Sequence, residues 1–188
     1  MGNIGDERYK ATMKELLEWG RAILLAIALA YFIRSFLFSP YIVDGRSMVE
    51  TLHDGERVIV NELSYRLEQP KRGDIIVFQF DENSAYIKRV IGIPGDIVEV
   101  KDDNLYINGE LVSEPYIEKK KRKLHSRGLI LTEDVKPVKV KDGQLFVMGD
   151  NRRNSKDSRE FGTIDIDQVI GRADLVFWPI DSFRFLNE

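Results

Sequence analysis

The chain has 188 residues, enough for one compact domain with an appendage, and its 43% hydrophobic and 31% charged residues exclude a disordered polymer. A net charge of -3 gives no global attraction to nucleic acid. The absence of cysteine excludes disulfides, thiol nucleophiles and thiolate metal sites.

In chain order, the first element is an apolar run from Trp19 to Phe38, WGRAILLAIALAYFIRSFLF. As a helix its 20 residues would be about 30 Å long, the thickness of a bilayer core. Arg21 and Arg34 bracket the uncharged stretch 22–33, and long arginine stems near helix ends can snorkel to headgroups. Trp19 and Tyr31 suit interfacial positions. Two other readings compete. The uncharged stretch is short for a span and would also fit a buried core helix. Ala28-Leu29-Ala30 has the small-x-small form of a signal-peptide cleavage site. The apolar pattern continues past that point, and Asp6, Glu7, Glu15 and Glu18 precede the run, so a retained anchor is expected. This divides the chain into a cytoplasmic segment 1–18, a transmembrane anchor 19–39 and an extracytoplasmic catalytic domain 40–188. A slight excess of Lys and Arg before the run favours the internal N-terminus.

After Pro40 short apolar runs alternate with Gly, Pro, Asp and Asn. Arg57–Val60, Asp74–Phe80, Ala85–Ile93, Ile97–Val100, Asn104–Ile107, Val138–Val140, Leu145–Met148 and Ala173–Trp178 read as strands. Asn108-Gly109 is a hairpin turn signal before Leu111-Val112. The expected fold is mainly β, a twisted sheet or open barrel. Residues 113–137 are the least regular. Their basic tract Lys119–Lys123 reads as a solvated loop, with anionic headgroups as the competing contact and no interleaved aromatics to suggest RNA. His53 and His125 lie in polar segments outside any metal-binding spacing and read as surface residues.

Three segments carry chemistry. Ser47 lies in Gly45-Arg46-Ser47-Met48, just past the apolar run. Gly45 lets the backbone approach a ligand, the Ser47 N–H is a candidate oxyanion donor, and Met48 adds apolar surface beside it. On its own such a serine is an ordinary turn residue. Lys88 lies on a strand between Tyr86 and Val90, where burial would lower its pKa until the neutral amine could take a proton from a hydroxyl. The bland alternative is a lysine snorkelling from a half-exposed strand. The third segment, Gly149–Gly162, is dense in short polar side chains and reads either as a capped surface loop or as a buttress for the base.

Taken together, these segments resemble the bacterial type I signal peptidases of the Gram-positive kind. The likeness runs from about Leu16 to Pro179 and rests on five motifs in order. They are the N-terminal anchor; Gly45–Met48 with Thr51-Leu52; Arg72-Gly73-Asp74 with its apolar strand; Tyr86–Asp96; and Gly149–Gly162. The resemblance implies a Ser47 nucleophile and a Lys88 general base on a mostly β ectodomain whose apolar surface rests on the bilayer. It implies that Ser155 steadies the amine and that Asp157 and Arg159 pair to hold the loop, with Asp150 and Asn151 as further support. The implied substrates are secretory preproteins with small residues at the first and third positions before the cut. No metal, organic cofactor or nucleic acid is implied. One departure stands out: the family usually carries proline where this chain has Glu50, whose charge could raise the Lys88 pKa. That keeps open an impaired homologue that binds signal peptides or assists processing. A self-cleaving Ser–Lys regulator would need a DNA-binding segment where the apolar run stands.

Overall fold

The computed structural model describes residues 14–29 and 38–186. The chain divides into two units, residues 1–38 and 39–188. In the first, residues 14–29 form a helix, α1, whose apolar side chains are exposed on all sides. Among the described residues no helix is long and apolar enough to cross a membrane. The expected anchor 19–39 is helical over 19–29, and its residues 30–37 lie outside the described residues, as do residues 1–13 of the expected N-terminal segment.

The second unit is built from antiparallel strands. They are β1 (Phe38–Ile42), β2 (Arg57–Asn61), β3 (Ile75–Asp81), β4 (Ser84–Gly92), β5 (Ile97–Lys101), β6 (Asn104–Ile107), β7 (Glu110–Val112), β8 (Val135–Lys139), β9 (Gln144–Met148), β10 (Ile164–Asp165), β11 (Val169–Trp178) and β12 (Arg184–Phe185). An eight-stranded sheet runs β1-β2-β11-β3-β4-β9-β10, with β12 also on β11, and a four-stranded sheet runs β7-β6-β5-β8. The larger sheet keeps β1 and β10 at its ends and does not close into a barrel.

Period-two patterning places the core. Val58 and Val60 of β2, Ile75 and Val77 of β3, and Ala173 and Val176 of β11 pack with Met48 and Leu52 on one face of the larger sheet. Ile76 and Phe78, Val90, and Leu145 and Val147 pack on the other face. A third cluster joins the sheets through Ile91, Val98, Val100, Phe146 and Met148.

The eight apolar runs read as strands fall on β2, β3, β4, β5, β6, β8, β9 and β11, with ends shifted by a few residues. The Asn108-Gly109 turn joins β6 to β7 with both residues at positive φ, 55° and 83°, the backbone a tight hairpin requires.

Three α-helices, α2 (Ser64–Leu67), α3 (Pro115–His125) and α4 (Ser158–Phe161), and three single-turn 3-10 helices complete the described part of the unit. Helix α3 corrects the reading of 113–137 as irregular loop. Pro115 opens it, at a position where a missing N–H costs nothing. Its apolar content is small because Ile117 alone is fully buried and polar contacts supply much of the docking. Glu114 pairs with the buried Arg152 at one end, and His125 Nε2 lies 2.7 Å from Asp103 Oδ2 at the other.

Candidate active site

Ser47 sits on a tight turn between β1 and β2. Gly45, at φ +98°, reverses the chain, and the Thr51 and Leu52 N–H groups both donate to the Met48 carbonyl, at 2.9 and 2.8 Å. Met48 and Leu52 anchor the turn in the core at 1% and 0% exposure. Met48 was expected to offer apolar surface to substrate or membrane; it points inward because the turn needs an apolar pin where β2 and β3 supply a pocket. The Gly45 N–H donates to Asp54 Oδ1 at 2.8 Å, so of the two expected oxyanion contributors Gly45 has its N–H engaged. The Ser47 N–H has no acceptor among the described residues.

Lys88 comes from the middle of β4, opposite Ile76 of β3. It is 4% exposed. Its Nζ lies 2.8 Å from Ser47 Oγ and 3.0 Å from the Ile87 carbonyl oxygen, with the Tyr86 ring centroid at 5.0 Å. Burial brings its pKa down to about 8, against the opposing charge of Asp157. When the amine is charged it donates to Ser47 Oγ; once neutral, its lone pair can accept the hydroxyl proton. The expected nucleophile and base are thus within one hydrogen bond of each other across 41 residues of sequence.

The segment after β9 wraps beneath the pair. Asp150 is fully buried and takes Arg89 bidentately, from Nε at 2.9 Å and Nη2 at 2.7 Å; it also accepts from Thr51 Oγ1. The Arg89 guanidinium also stacks 3.9 Å from the Tyr116 ring centroid. Sequence reading gave Arg89 no role, because nothing in a strand's own residues reveals a partner 61 positions away. Asn151 holds the nucleophile turn directly. Its N–H donates to the Ser47 carbonyl and its Nδ2 to the Arg46 carbonyl, both at 2.9 Å.

Asp157 caps α4 and accepts from Arg159 Nε and Nη2, each at 2.8 Å, and from the Gly149 N–H at 3.0 Å. Burial works against its charge, but Arg159 and the Gly149 N–H outweigh it and hold the carboxyl below its ordinary pKa. The expected Asp157–Arg159 pair is therefore formed.

Ser155 departs from expectation. Its Oγ is buried and does not bond the amine, since Lys88 is bonded to Ser47 and Ile87 instead; it lies beside Asp157 and helps hold that carboxyl below its ordinary pKa. Close packing explains its place. A Cβ on Gly149 would fall 2.2 Å from Ser155 Oγ and 2.4 Å from the Ser47 carbonyl oxygen, so only glycine lets these two backbone segments meet.

A cleft of about 280 Å³ opens beside the pair, walled by Ile42, Val43, Val58, Val77, Ala85 and Ile87. Among the described residues no cluster of His, Asp or Glu could hold a metal ion. Glu50 is turned away from the concern its charge raised: its carboxylate meets Lys120 Nζ at 3.1 Å.

The chain that brings a serine hydroxyl against a buried amine is similar to known proteins along most of its length. Residues 16–178 match the family described as "Signal peptidase, peptidase S26". The chain belongs to the S26 signal peptidase family. It is 49% identical to a signal peptidase I of Bacillus amyloliquefaciens over 180 residues, covering 95% of this chain and 97% of that one. It is 50% identical to signal peptidase I T of Bacillus subtilis (strain 168) over 170 residues, covering 89% and 88%. Among S26 signal peptidases of known structure, the crystal structure of a signal peptidase I from Enterococcus faecalis V583 superposes with a TM-score of 0.52 at 40% identity, over 56% of this chain and 97% of that one.

Proposed function

We propose that this chain is a membrane-bound serine endopeptidase that removes signal peptides from secreted preproteins, with Ser47 as nucleophile and Lys88 as general base. The observation that carries the reading is the 2.8 Å contact between Ser47 Oγ and an amine whose burial brings its pKa to about 8. The neutral amine takes the Ser47 proton as Oγ attacks the scissile carbonyl carbon. The oxyanion that forms accepts from the Ser47 N–H, which is otherwise unused. The tetrahedral intermediate collapses, the C–N bond breaks, and the Lys88 ammonium gives its proton to the leaving amine. The regenerated neutral amine then deprotonates a water, whose oxygen attacks the acyl ester carbon; the C–Oγ bond breaks, the Lys88 ammonium returns its proton to Ser47 Oγ, and the signal peptide leaves with a new C-terminal carboxylate.

The aliphatic walls of the cleft support uncharged side chains next to the cut. In this reading Asp150, Asn151, Asp157 and Arg159 keep the turn and the base in register, and Ser155 fills the space against Gly149. The proposed substrates are preproteins presented at a bilayer, with residues 1–18 cytoplasmic, 19–39 as anchor and 40–188 outside. The apolar exposed side chains of 14–29 support an anchor. Trp178, Ile180, Phe183 and Phe185, each between 47% and 72% exposed, support a lipid-resting face on the catalytic unit. An impaired homologue is not favoured, because the Glu50 carboxylate is matched by Lys120.

The test is cleavage of a preprotein by the detergent-solubilised protein, with N-terminal sequencing of the product. A new N-terminus after a small-x-small tripeptide, lost in Ser47→Ala and in Lys88→Ala, is expected. Cleavage that survives either substitution refutes the assignment.

A further inference from the structure

The basic tract is divided by helix geometry. Ile117, Lys120, Lys121 and Leu124 share one face of α3 at helical spacing, while Lys119, Arg122 and Lys123 are exposed. Lys121 Nζ is taken up by Asn104 Oδ1 at 2.9 Å. Lys120 Nζ reaches the candidate active site, 2.9 Å from Asn151 Oδ1 and 3.1 Å from Glu50 Oε1. The helix that carries it is fixed by Glu114–Arg152 and His125–Asp103 at its ends and by Tyr116 against Arg89.

We propose that Lys120 is a positioning residue that aims the oxyanion donor by holding Asn151, with Glu50 as its counter-ion. The inference rests on the peptidase reading above. The ammonium can only donate, so it selects the Asn151 amide orientation that presents oxygen to Lys120 and Nδ2 to the Arg46 carbonyl. A flipped amide would set donor against donor at Lys120 and acceptor against acceptor at Arg46. The Arg46 carbonyl and the Ser47 N–H belong to one planar trans peptide and point in opposite directions. Fixing the carbonyl therefore fixes where the Ser47 N–H points. The Asn151 N–H fixes the next peptide plane through the Ser47 carbonyl, so this one residue holds both planes flanking the nucleophile, and the Val49 N–H adds only a longer bond to the Arg46 carbonyl at 3.3 Å. Glu50, on the same turn, supplies the charge that keeps a partly buried ammonium in place. Lys120 touches neither the substrate cleft nor Lys88; its effect passes through Asn151.

The experiment is steady-state cleavage of a preprotein by the full chain in detergent, comparing wild type, Lys120→Met, Lys120→Arg, Asn151→Ala and Lys120→Met/Asn151→Ala. Lys120→Met is expected to lower kcat about tenfold with KM within about twofold, since a misaimed donor costs less than the hundredfold or more of a deleted one. Lys120→Arg, which keeps charge and donor, should recover kcat to within about threefold of wild type. The double variant should be no slower than Asn151→Ala alone, because the two act in series. Wild-type kcat in Lys120→Met, failure of Lys120→Arg to rescue, or losses that multiply in the double variant would each overturn the proposal. If Lys120→Met does not fold, Asn151→Ala carries the test, and an unchanged kcat there overturns it. Absence of cleavage by wild type would instead sink the peptidase reading beneath it, an outcome separate from any ranking of the variants.

Discussion

Replacing Lys88 by methionine should make the protein inactive and more stable. The amine is 4% exposed and its pKa falls from 10.5 to about 8 in the folded state. That difference corresponds to on the order of 3 kcal/mol disfavouring the charged amine in the native protein. Methionine keeps the length and loses the charge. Against the gain stand two hydrogen bonds, to Ser47 Oγ and the Ile87 carbonyl, worth about 1 kcal/mol together on net terms, with the solvent-reachable serine the smaller share. The expected net stabilisation is about 2 kcal/mol near neutral pH, or about 4–8 °C in Tm for a unit of this size. The sign with pH is fixed. Below pH 8 both folded and unfolded amines are charged, so wild type carries the full penalty. Between about 8 and 10.5 the unfolded chain binds more protons than the native one, so wild-type stability rises. The advantage of Lys88→Met should therefore be constant below pH 8 and vanish towards pH 10.5. Thermal or urea unfolding of both proteins from pH 6 to 10.5 gives the comparison. A variant no more stable than wild type at pH 7, or a difference flat across that range, would refute the claim that burial is what lowers this pKa.

Three other substitutions probe the surroundings. The pH profile of kcat/KM should rise about tenfold per unit below about 8 and level off above it, and Asp157→Asn should move that limb to lower pH, because the carboxylate is the charge that helps Lys88 keep its proton; an unmoved limb contradicts the coupling. Arg89→Met strands the buried Asp150 carboxylate and should cost about 3–5 kcal/mol in a denaturant titration; a loss under about 1 kcal/mol would mean the pair is solvated. Gly149→Ala drives a methyl group into the Ser47 carbonyl and Ser155 Oγ, so kcat should fall at least about tenfold as the turn shifts; wild-type kcat in a folded Gly149→Ala variant would show the turn is not held there.

The sequence made some of this plain and concealed the rest for physical reasons. Asn108-Gly109 was legible because few residue pairs accept two consecutive positive φ values. Ser47 and Lys88 were singled out by five motifs in order and not by their own surroundings, since alone the serine reads as a turn residue and the lysine as one snorkelling from a strand. Helix α3 was not, since its face is completed by Lys120 and Lys121, and polar contacts leave no apolar period to find. Met48 misled for the converse reason: an apolar side chain beside a nucleophile reads equally well as substrate wall or as core pin, and only the packing of β2 and β3 decides. The Arg89–Asp150 and Lys120–Asn151 contacts, 61 and 31 positions apart, needed the folded chain to appear at all.

Residue 50 sits at φ +119°, in a region that a proline ring, locked near -65°, cannot enter. Proline and glutamate at this position are thus alternatives at the level of the whole loop and not of one side chain. Introducing proline by a single exchange would demand a new path for residues 48–52, and with it a new seat for the Ser47 hydroxyl. An engineer who places proline at residue 50 without re-routing the main chain around it should expect a broken hinge in place of a stiffened one.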